Sequence, residues 1–531
     1  MARTTSNPGG NTGGQHQFSM IPRAEIPRSV FDRSCGLKTA FSSGYLVPVF
    51  VDEALPGDTM TMRAQAFCRM STPLAPLMDN LYLDYFWFFV PNRLLWVDQG
   101  PGTGSWEKFC GQQTDPGDST DFEIPTVTVT PTTGSLWDYL GLVGKDYTVA
   151  VTASALWSRA YNMIYREWFR DENLVDSPVV DVDDGPDTAT DYVLRRRGKR
   201  HDYFTSCLPF PQKGDPVLLP LGAVAPVKSL AAPTAPLSAL DSADTYRQLR
   251  STAAIAPIEL SATAGLEANR LFADLTAATS ATINEIREAF QVQRLLERDA
   301  RGGSRYTEIV RSHFGVVSPD QRLQRPEYLG GGSTRINFHP VANTNYGTTG
   351  LPTSAIAQLG GFGLAEGQSG FMKSFTEHGV IIGLVNVRAD LTYQQGIERM
   401  FSRSRRYDFF WPALAHLGEQ AVLNKEIFWQ ATAADEDVFG YQERWAEYRY
   451  KPSRTSGVMR STASTPIDYW HVGQEFASLP LLNDVFIADT PPISRVLAVP
   501  TQPEFFGDFW FSYRSARPMP TYSVPGLIDH F

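Results

Sequence analysis

Between Leu81 and Val90, nine of ten residues are apolar or aromatic. A strand with one face in water alternates apolar and polar side chains. Here Leu81, Leu83, Tyr85, Trp87 and Phe89 point one way and Tyr82, Phe86, Phe88 and Val90 the other, and only Asp84 breaks the pattern. The stretch predicts a strand buried on both faces, either central in a large domain or against a neighbouring subunit. Residues 58–68 alternate instead, with Met60, Met62, Ala64, Ala66 and Cys68 on one face and Thr59, Thr61, Arg63 and Gln65 on the other. That is the pattern of a half-buried strand. Residues 44–51, 126–130, 379–391 and 505–514 predict further strands. They are scattered along the chain and form one sheet system only if long insertions emerge from the loops.

Two insertions read as helical. In 153–173, Trp157, Tyr161, Ile164, Tyr165, Trp168 and Phe169 fall at helical spacing. A second helix is predicted over 281–299, capped by Ser280 or Thr279, with Ile283, Ile286, Phe290 and Leu296 on its buried side and Gly302 and Gly303 ending it. Residues 223–264 are dominated by Ala, Pro, Ser and Thr and nearly lack aromatics, which predicts an exposed loop or a small subdomain with little core. Residues 1–20, glycine-rich with little to bury, predict a flexible arm, leaving 21–531 as a single domain. The run Gly330–Gly332 lacks the Lys and Ser/Thr of a phosphate loop and predicts a flexible turn.

Composition narrows the class. Gly and Pro number 42 and 37, so turns are frequent, which favours many short strands joined by long loops. A net charge of −10 argues against an autonomous nucleic-acid binder, so any DNA contact should be local or aided by a basic partner. The four cysteines have no CxxC spacing and predict free, buried thiols. No signal-peptide pattern opens the chain and no apolar run is long enough for a membrane span, so folding in a reducing cytoplasm and no membrane partner are expected.

Signals for catalysis are weak. There is no GxSxG, HExxH or Walker loop, and neither Glu377–His378 nor His416–Glu419 has a third ligand at useful spacing. No catalytic residue, metal or cofactor is predicted. Asp181, Asp183, Asp184, Asp187 and Asp191 are dense enough for calcium, but the spacing is not an EF-hand loop. Bases follow at Arg195, Arg196, Arg197, Lys199 and Arg200. The two runs read either as one solvated, self-compensating segment or as a basic strip facing a genome or an adjacent subunit. In 399–411, Arg399, Arg403, Arg405 and Arg406 interleave with Phe401, Tyr407, Phe409, Phe410 and Trp411. That mixture suits a subunit interface first, single-stranded DNA second and a core edge third.

Several blocks carry more than periodicity. They are DRS at 32–34, VDEALPGDT at 51–59, MDN at 78–80 followed by FFVPNRLLW, and LPFPQKGD at 208–215. FQVQRLLERDARGGSRYTEIVRSHFGV at 290–316, RLQRPEYLGGGS at 322–333 and FTEHGVIIGLVNVRADLTYQQG at 375–396 follow. WPALAHLGEQAVLNKEIF at 411–428, FGYQERWAEYRYKPS at 439–453 and YSVPGLIDHF at 522–531 complete the series. In this order the chain resembles the major capsid protein of microviruses, the gokushovirus branch of small icosahedral single-stranded DNA phages. The resemblance implies a mainly β fold, an eight-stranded antiparallel viral jelly roll with long, partly helical insertions. It also implies sixty copies in an icosahedral shell around a circular single-stranded DNA genome, inside a virion assembled in the bacterial cytoplasm. A small basic internal DNA-binding protein and a host cell-surface receptor are the further implied partners, with the 223–264 insertion as a threefold protrusion. The competing expectation is an all-β carbohydrate-binding or glycoside-cleaving protein with Trp and Tyr as sugar platforms.

Overall fold

The computed structural model describes residues 27–110, 122–142, 148–215, 324–342 and 359–522, with separate stretches between 217 and 315. The expected arm at 1–20 and the expected caps Thr279 and Ser280 lie outside the described residues. The chain forms two compact units, Met1–Pro209 with Val317–Phe531, and Phe210–Val316.

The first unit is built on a nine-stranded antiparallel sheet. Its strands are β1 (Ser29–Asp32), β2 (Cys35–Phe41), β3 (Val47–Ala54), β4 (Thr59–Met70) and β5 (Leu81–Pro91). After long insertions come β6 (Glu327–Ala342), β7 (Leu359–Ser374), β8 (Gly379–Ala389) and β9 (Phe505–Arg517). The order is β1–β9–β4–β7–β6–β5–β8–β3, with β2 also on β9. β1 and β2 share one register against β9, Asp32 opposite Arg514 and Cys35 opposite Phe511. They act as one strand interrupted at Arg33, whose side chain turns to Asp52 at 2.5 and 2.8 Å.

The sheet curls because β6 and β7 change partners along their length. Glu327–Ile336 pairs with β5, whereas Asn337–Ala342 pairs with β7. Leu364–Ser374 of β7 in turn pairs with β4. Two halves therefore face each other across one core. The Trp87 ring lies 6.2 Å from Phe50 and Phe511 and 6.3 Å from Phe371, touching both halves. Gly383 makes room for it, since a Cβ there would meet the indole at 2.1 Å.

The prediction for Leu81–Val90 holds on both faces. Leu81, Leu83, Tyr85, Trp87 and Phe89 enter the core between the halves, and Phe88 and Val90 enter a second core. That second core is roofed by α1 (Leu156–Ile164) and a following π-helical turn, Tyr165–Phe169. The turn sets Phe169 against Phe86 and Trp168 against Phe88. The helix starts later than the sequence predicts because Val151–Ser154 pairs as a strand with Thr126–Val129. All eleven residues of β8 are buried.

Three expectations need correction. Gly330–Gly332 is not a turn but part of β6, beside a bulge between Tyr328 and Gly330. A Cβ on Gly331 would strike the Tyr85 carbonyl at 2.3 Å, so the glycines serve close strand approach. Of the four free cysteines only Cys68 and Cys207 are buried, whereas Cys35 and Cys110 are exposed. In the second unit the helix α2 (Ile283–Gly302) leaves Phe290 66% exposed. Its described contacts are polar: Gln293 donates to Gln212, the Leu296 carbonyl accepts from Lys213 N at 3.4 Å, and Asp299 pairs with His313 of α3 (Tyr306–Phe314) at 2.6 Å. The stretch expected as an insertion falls in this unit and contributes a three-stranded sheet, Ser238–Leu240, Tyr246–Ser251 and Ile258–Ala264.

Asp84, the lone polar residue of β5, is the hub of a buried network. It accepts from Ser333 Oγ at 2.6 Å, Arg197 Nη1 at 2.6 Å and Arg388 Nε at 2.8 Å. Burial raises its pKa, but these donors outweigh burial and hold the carboxyl below its ordinary value. Replacing Asp84 with Ala strands two partly buried guanidinium groups, and we expect a loss of about 3 kcal/mol in chemical denaturation. Because the native pKa is depressed, the ionised carboxylate's contribution is complete above the unfolded pKa of about 4 and fades as pH falls through the native value. The gap between wild type and Asp84→Asn should therefore narrow in acid, measured as denaturation midpoint against pH.

Candidate functional site

The basic run 195–200 is largely taken up inside the first unit. Arg195 donates to Asn162 Oδ1 at 3.1 Å and lies 5.3 Å from the Tyr165 ring. Arg196 stacks 4.1 Å over Tyr45 and donates to the Asp489 carbonyl at 3.0 Å. Arg197 bonds Asp84 and covers Phe86 at 5.0 Å. Lys199 is buried over the Phe486 ring at 4.6 Å, and burial pulls its pKa down to about 8. Nearby Asp489 is pushed up to about 6 by burial, partly offset by Lys199 and three arginines. Of the run, Arg200 is exposed.

The acidic run is held by a different cation. Arg159 is fully buried and donates to Asp187 Oδ2 at 2.8 Å, to the Leu95 and Asp183 carbonyls at 2.9 Å, and to Asp183 Oδ1 at 3.2 Å. Tyr192 Oη also donates to Asp187. The expectation of one solvated, self-compensating segment is therefore corrected. Asp183 and Asp187 close on Arg159, Asp184 accepts from Trp96 Nε1 and the Gly104 amide, and most bases close on Asp84, carbonyls and aromatic rings.

The 399–411 cluster splits in two. Arg399 donates to the Ala421 carbonyl at 2.7 Å and Glu426 at 3.0 Å, and Arg403 to Glu447 at 3.0 Å. Arg405, Arg406 and Tyr407 are exposed, with Arg406 lying 4.9 Å over the Trp411 ring. Phe401, Phe409, Phe410 and Trp411 are exposed as well. A cleft of about 550 Å³ adjoins them, with Phe401, Trp429, Tyr448 and Tyr450 on its walls and Glu426 and Glu447 at its base. The sequence reading missed the last three aromatics, which lie tens of residues away and carry no local signal beyond being aromatic.

This cleft is poorly equipped for acid–base chemistry. Burial raises the Glu426 pKa, but the group is bound to Arg399, to Tyr203 Oη at 2.8 Å and to the Leu423 amide at 3.0 Å. Glu447 resists burial through bonds from Gln420 and Arg403 and is held below its ordinary value. Both carboxylates are engaged structurally.

An aromatic-rich surface on a β scaffold, with the two carboxylates of its cleft held in ion pairs, is suited to contacts between molecules. Comparison with known sequences agrees. The profile of the family described as "Capsid protein (F protein)" matches residues 19–527, and the chain belongs to that family. It is 43% identical to "Capsid protein VP1" of Bdellovibrio phage phiMH2K, covering 98% of this chain and 99% of that one. It is 40% identical to "Capsid protein VP1" of Chlamydia phage 1, covering 97% and 98%. For "Capsid protein VP1" of Spiroplasma virus 4 the identity is 36%, covering 96% and 97%. The protein is thus a gokushovirus-type capsid protein, a structural component of the virion that self-assembles into a shell, and not an enzyme. The sugar-cleaving alternative is set aside.

The divided roles of the basic run give a direct contrast. Arg197→Ala should lower the thermal midpoint, costing about 1.5–3 kcal/mol through loss of one of the three donors to Asp84. Arg200→Ala, at an exposed position, should stay within about 0.5 kcal/mol of wild type. Paired thermal melts of the two variants check this.

Proposed function

We propose that the chain builds an icosahedral shell of sixty copies around a circular single-stranded DNA genome, and that its sheet is a viral jelly roll. The strand order carries this reading. With β1 and β2 counted as one, the strands in chain order lie first–eighth–third–sixth and then fifth–fourth–seventh–second. Two facing halves joined by a bending hairpin, in that order, are the double Greek key of a jelly roll. The relatives' names point to bacterial hosts. The net charge of −10 supports a separate small basic protein as the genome's counter-ion. The second unit, which includes 223–264, is proposed as the surface protrusion at the threefold axes that meets a host receptor. Among its described residues few side chains are fully buried, as suits an element with little core of its own.

The exposed ring patch around Tyr407, with Arg405 and Arg406, is proposed as a contact between copies. Exposed aromatics of this density are a liability on a free monomer and are covered by partners in a closed assembly. Arg195 and Arg200, at the edge of the basic run, are proposed to border a neighbouring subunit.

Electron microscopy of the protein expressed alone and of particles from infected cells tests the whole reading. Uniform closed shells, with nuclease-protected circular DNA in the second sample, are expected. Unassembled protein in both samples would overturn it. Tyr407→Asp should leave soluble, folded protein that no longer closes into shells. Normal shells from Arg405→Ala/Arg406→Ala with reduced DNA content would move these arginines from the subunit contact to the genome.

A further inference from the structure

The curled sheet has one bare face. The outer side of β5 and β8 is roofed by α1 and its neighbours, whereas β4 and β9 alternate buried and exposed residues along nearly their whole length. Their outward positions pair across the ladder as Phe506 with Arg69, Asp508 with Phe67, Trp510 with Gln65, Ser512 with Arg63 and Arg514 with Thr61. Phe67, Phe506 and Trp510 are 47%, 42% and 50% exposed. Phe67 is the diagonal neighbour of both other rings, so the three form a zigzag with steps of roughly 7–8 Å. The Trp510 ring lies over Gly36, where a Cβ would meet it at 3.3 Å, which leaves its other side open. A shallow trough of about 1110 Å³ runs past Lys38, Gln65, Phe67, Gln368 and Trp510.

We propose that this bare face binds single-stranded DNA, with Phe67, Phe506 and Trp510 stacking bases and Arg63, Arg69, Arg514 and Lys38 meeting phosphates. The proposal rests on the preceding reading that the shell encloses a single-stranded genome. Sequence-tolerant binding of single strands needs rings interleaved with cations on an open surface. The face also carries acids. Asp508 lies 3.6 Å from Lys38, Asp32 is occupied by Ser34 N at 3.1 Å and Oγ at 2.6 Å, and Glu366 stands opposite Phe67. Among the described residues Arg69 is in no ion pair, whereas Arg514 stands opposite Asp32 and attracts it. A contact between copies fits less well, because the floor between the rings is polar, with Gln65, Gln368, Ser512 and Thr61, whereas interface cores are apolar. Such spaced rings over polar ground suit flat bases that bring their own charge.

Ultraviolet cross-linking of particles from infected cells, followed by nuclease and protease digestion and mass spectrometry, tests the site. Nucleotide adducts on the peptides containing Phe67 and Trp510 are expected. DNA-filled particles with adducts only elsewhere would overturn the proposal. Particles holding no single-stranded DNA would overturn the preceding reading and this one with it. Purified, unassembled full-length protein supplies a second readout with oligothymidylate. Phe67→Ser/Trp510→Ser should bind it about tenfold more weakly at unchanged thermal midpoint. Arg69→Gln/Arg514→Gln should flatten the salt dependence of binding, a readout that survives if the first variant folds poorly. Unchanged affinity in both, or lost shell closure with intact oligothymidylate binding, would assign the face to contacts between copies instead.

Discussion

Everything in the first unit depends on two half-sheets closing over one aromatic core. Trp87 sits at its centre, in reach of Phe50, Phe371 and Phe511, and its indole N–H donates to Ser369 Oγ at 2.9 Å. Phe371 and Phe511 come from strands hundreds of positions beyond Trp87 in the chain. Closure therefore ties the first and last strands together, and β9 can pair with β1, β2 and β4 only once the intervening insertions are accommodated. The glycines at 330–332 and 383 exist for the same closure, since a side chain at Gly331 or Gly383 would push the layers apart.

Around that core the chain uses arginine–carboxylate clamps where irregular segments must be fastened. Asp84 with Arg197 and Arg388 ties the 195–200 run to β5 and β8. Arg159 with Asp187 fixes the 181–191 loop beneath α1. Arg399 and Arg403 with Glu426 and Glu447 anchor the base of the aromatic cleft. Each clamp combines charge with bonds to carbonyls or with ring stacking, which is how a guanidinium is tolerated inside a protein. In these three places charge holds long insertions. What remains for other molecules is the smaller set of exposed cations beside exposed rings.

The family reading and the physical reading meet in this arrangement. A capsid protein must present extensive contact surface while keeping a rigid wall. A sheet with one half roofed by its own helices and the other half bare divides those duties. The roofed half gives thickness and stability, and the bare half and the ring patch near Tyr407 remain for whatever the shell encloses or adjoins.

Much of this was legible in the linear sequence. The double-faced burial of Leu81–Val90, the alternation of 58–68 and the apolar run at 379–391 fixed three sheet strands, because period and polarity are local properties. The motif blocks in order identified the family. The bending hairpin of β6 and β7 was not legible, since its glycine-rich strands show no clear apolar period and gain burial from the strands they join. Nor were the roles of the charges. Arg197 and Arg200 look alike in sequence, and only folding puts one against Asp84 and leaves the other in water. Sequence alone determined which segments must be buried and what kind of protein they build. Tertiary structure decided which charges and rings remain free, because pairing over hundreds of residues depends on where the closed sheet carries each segment.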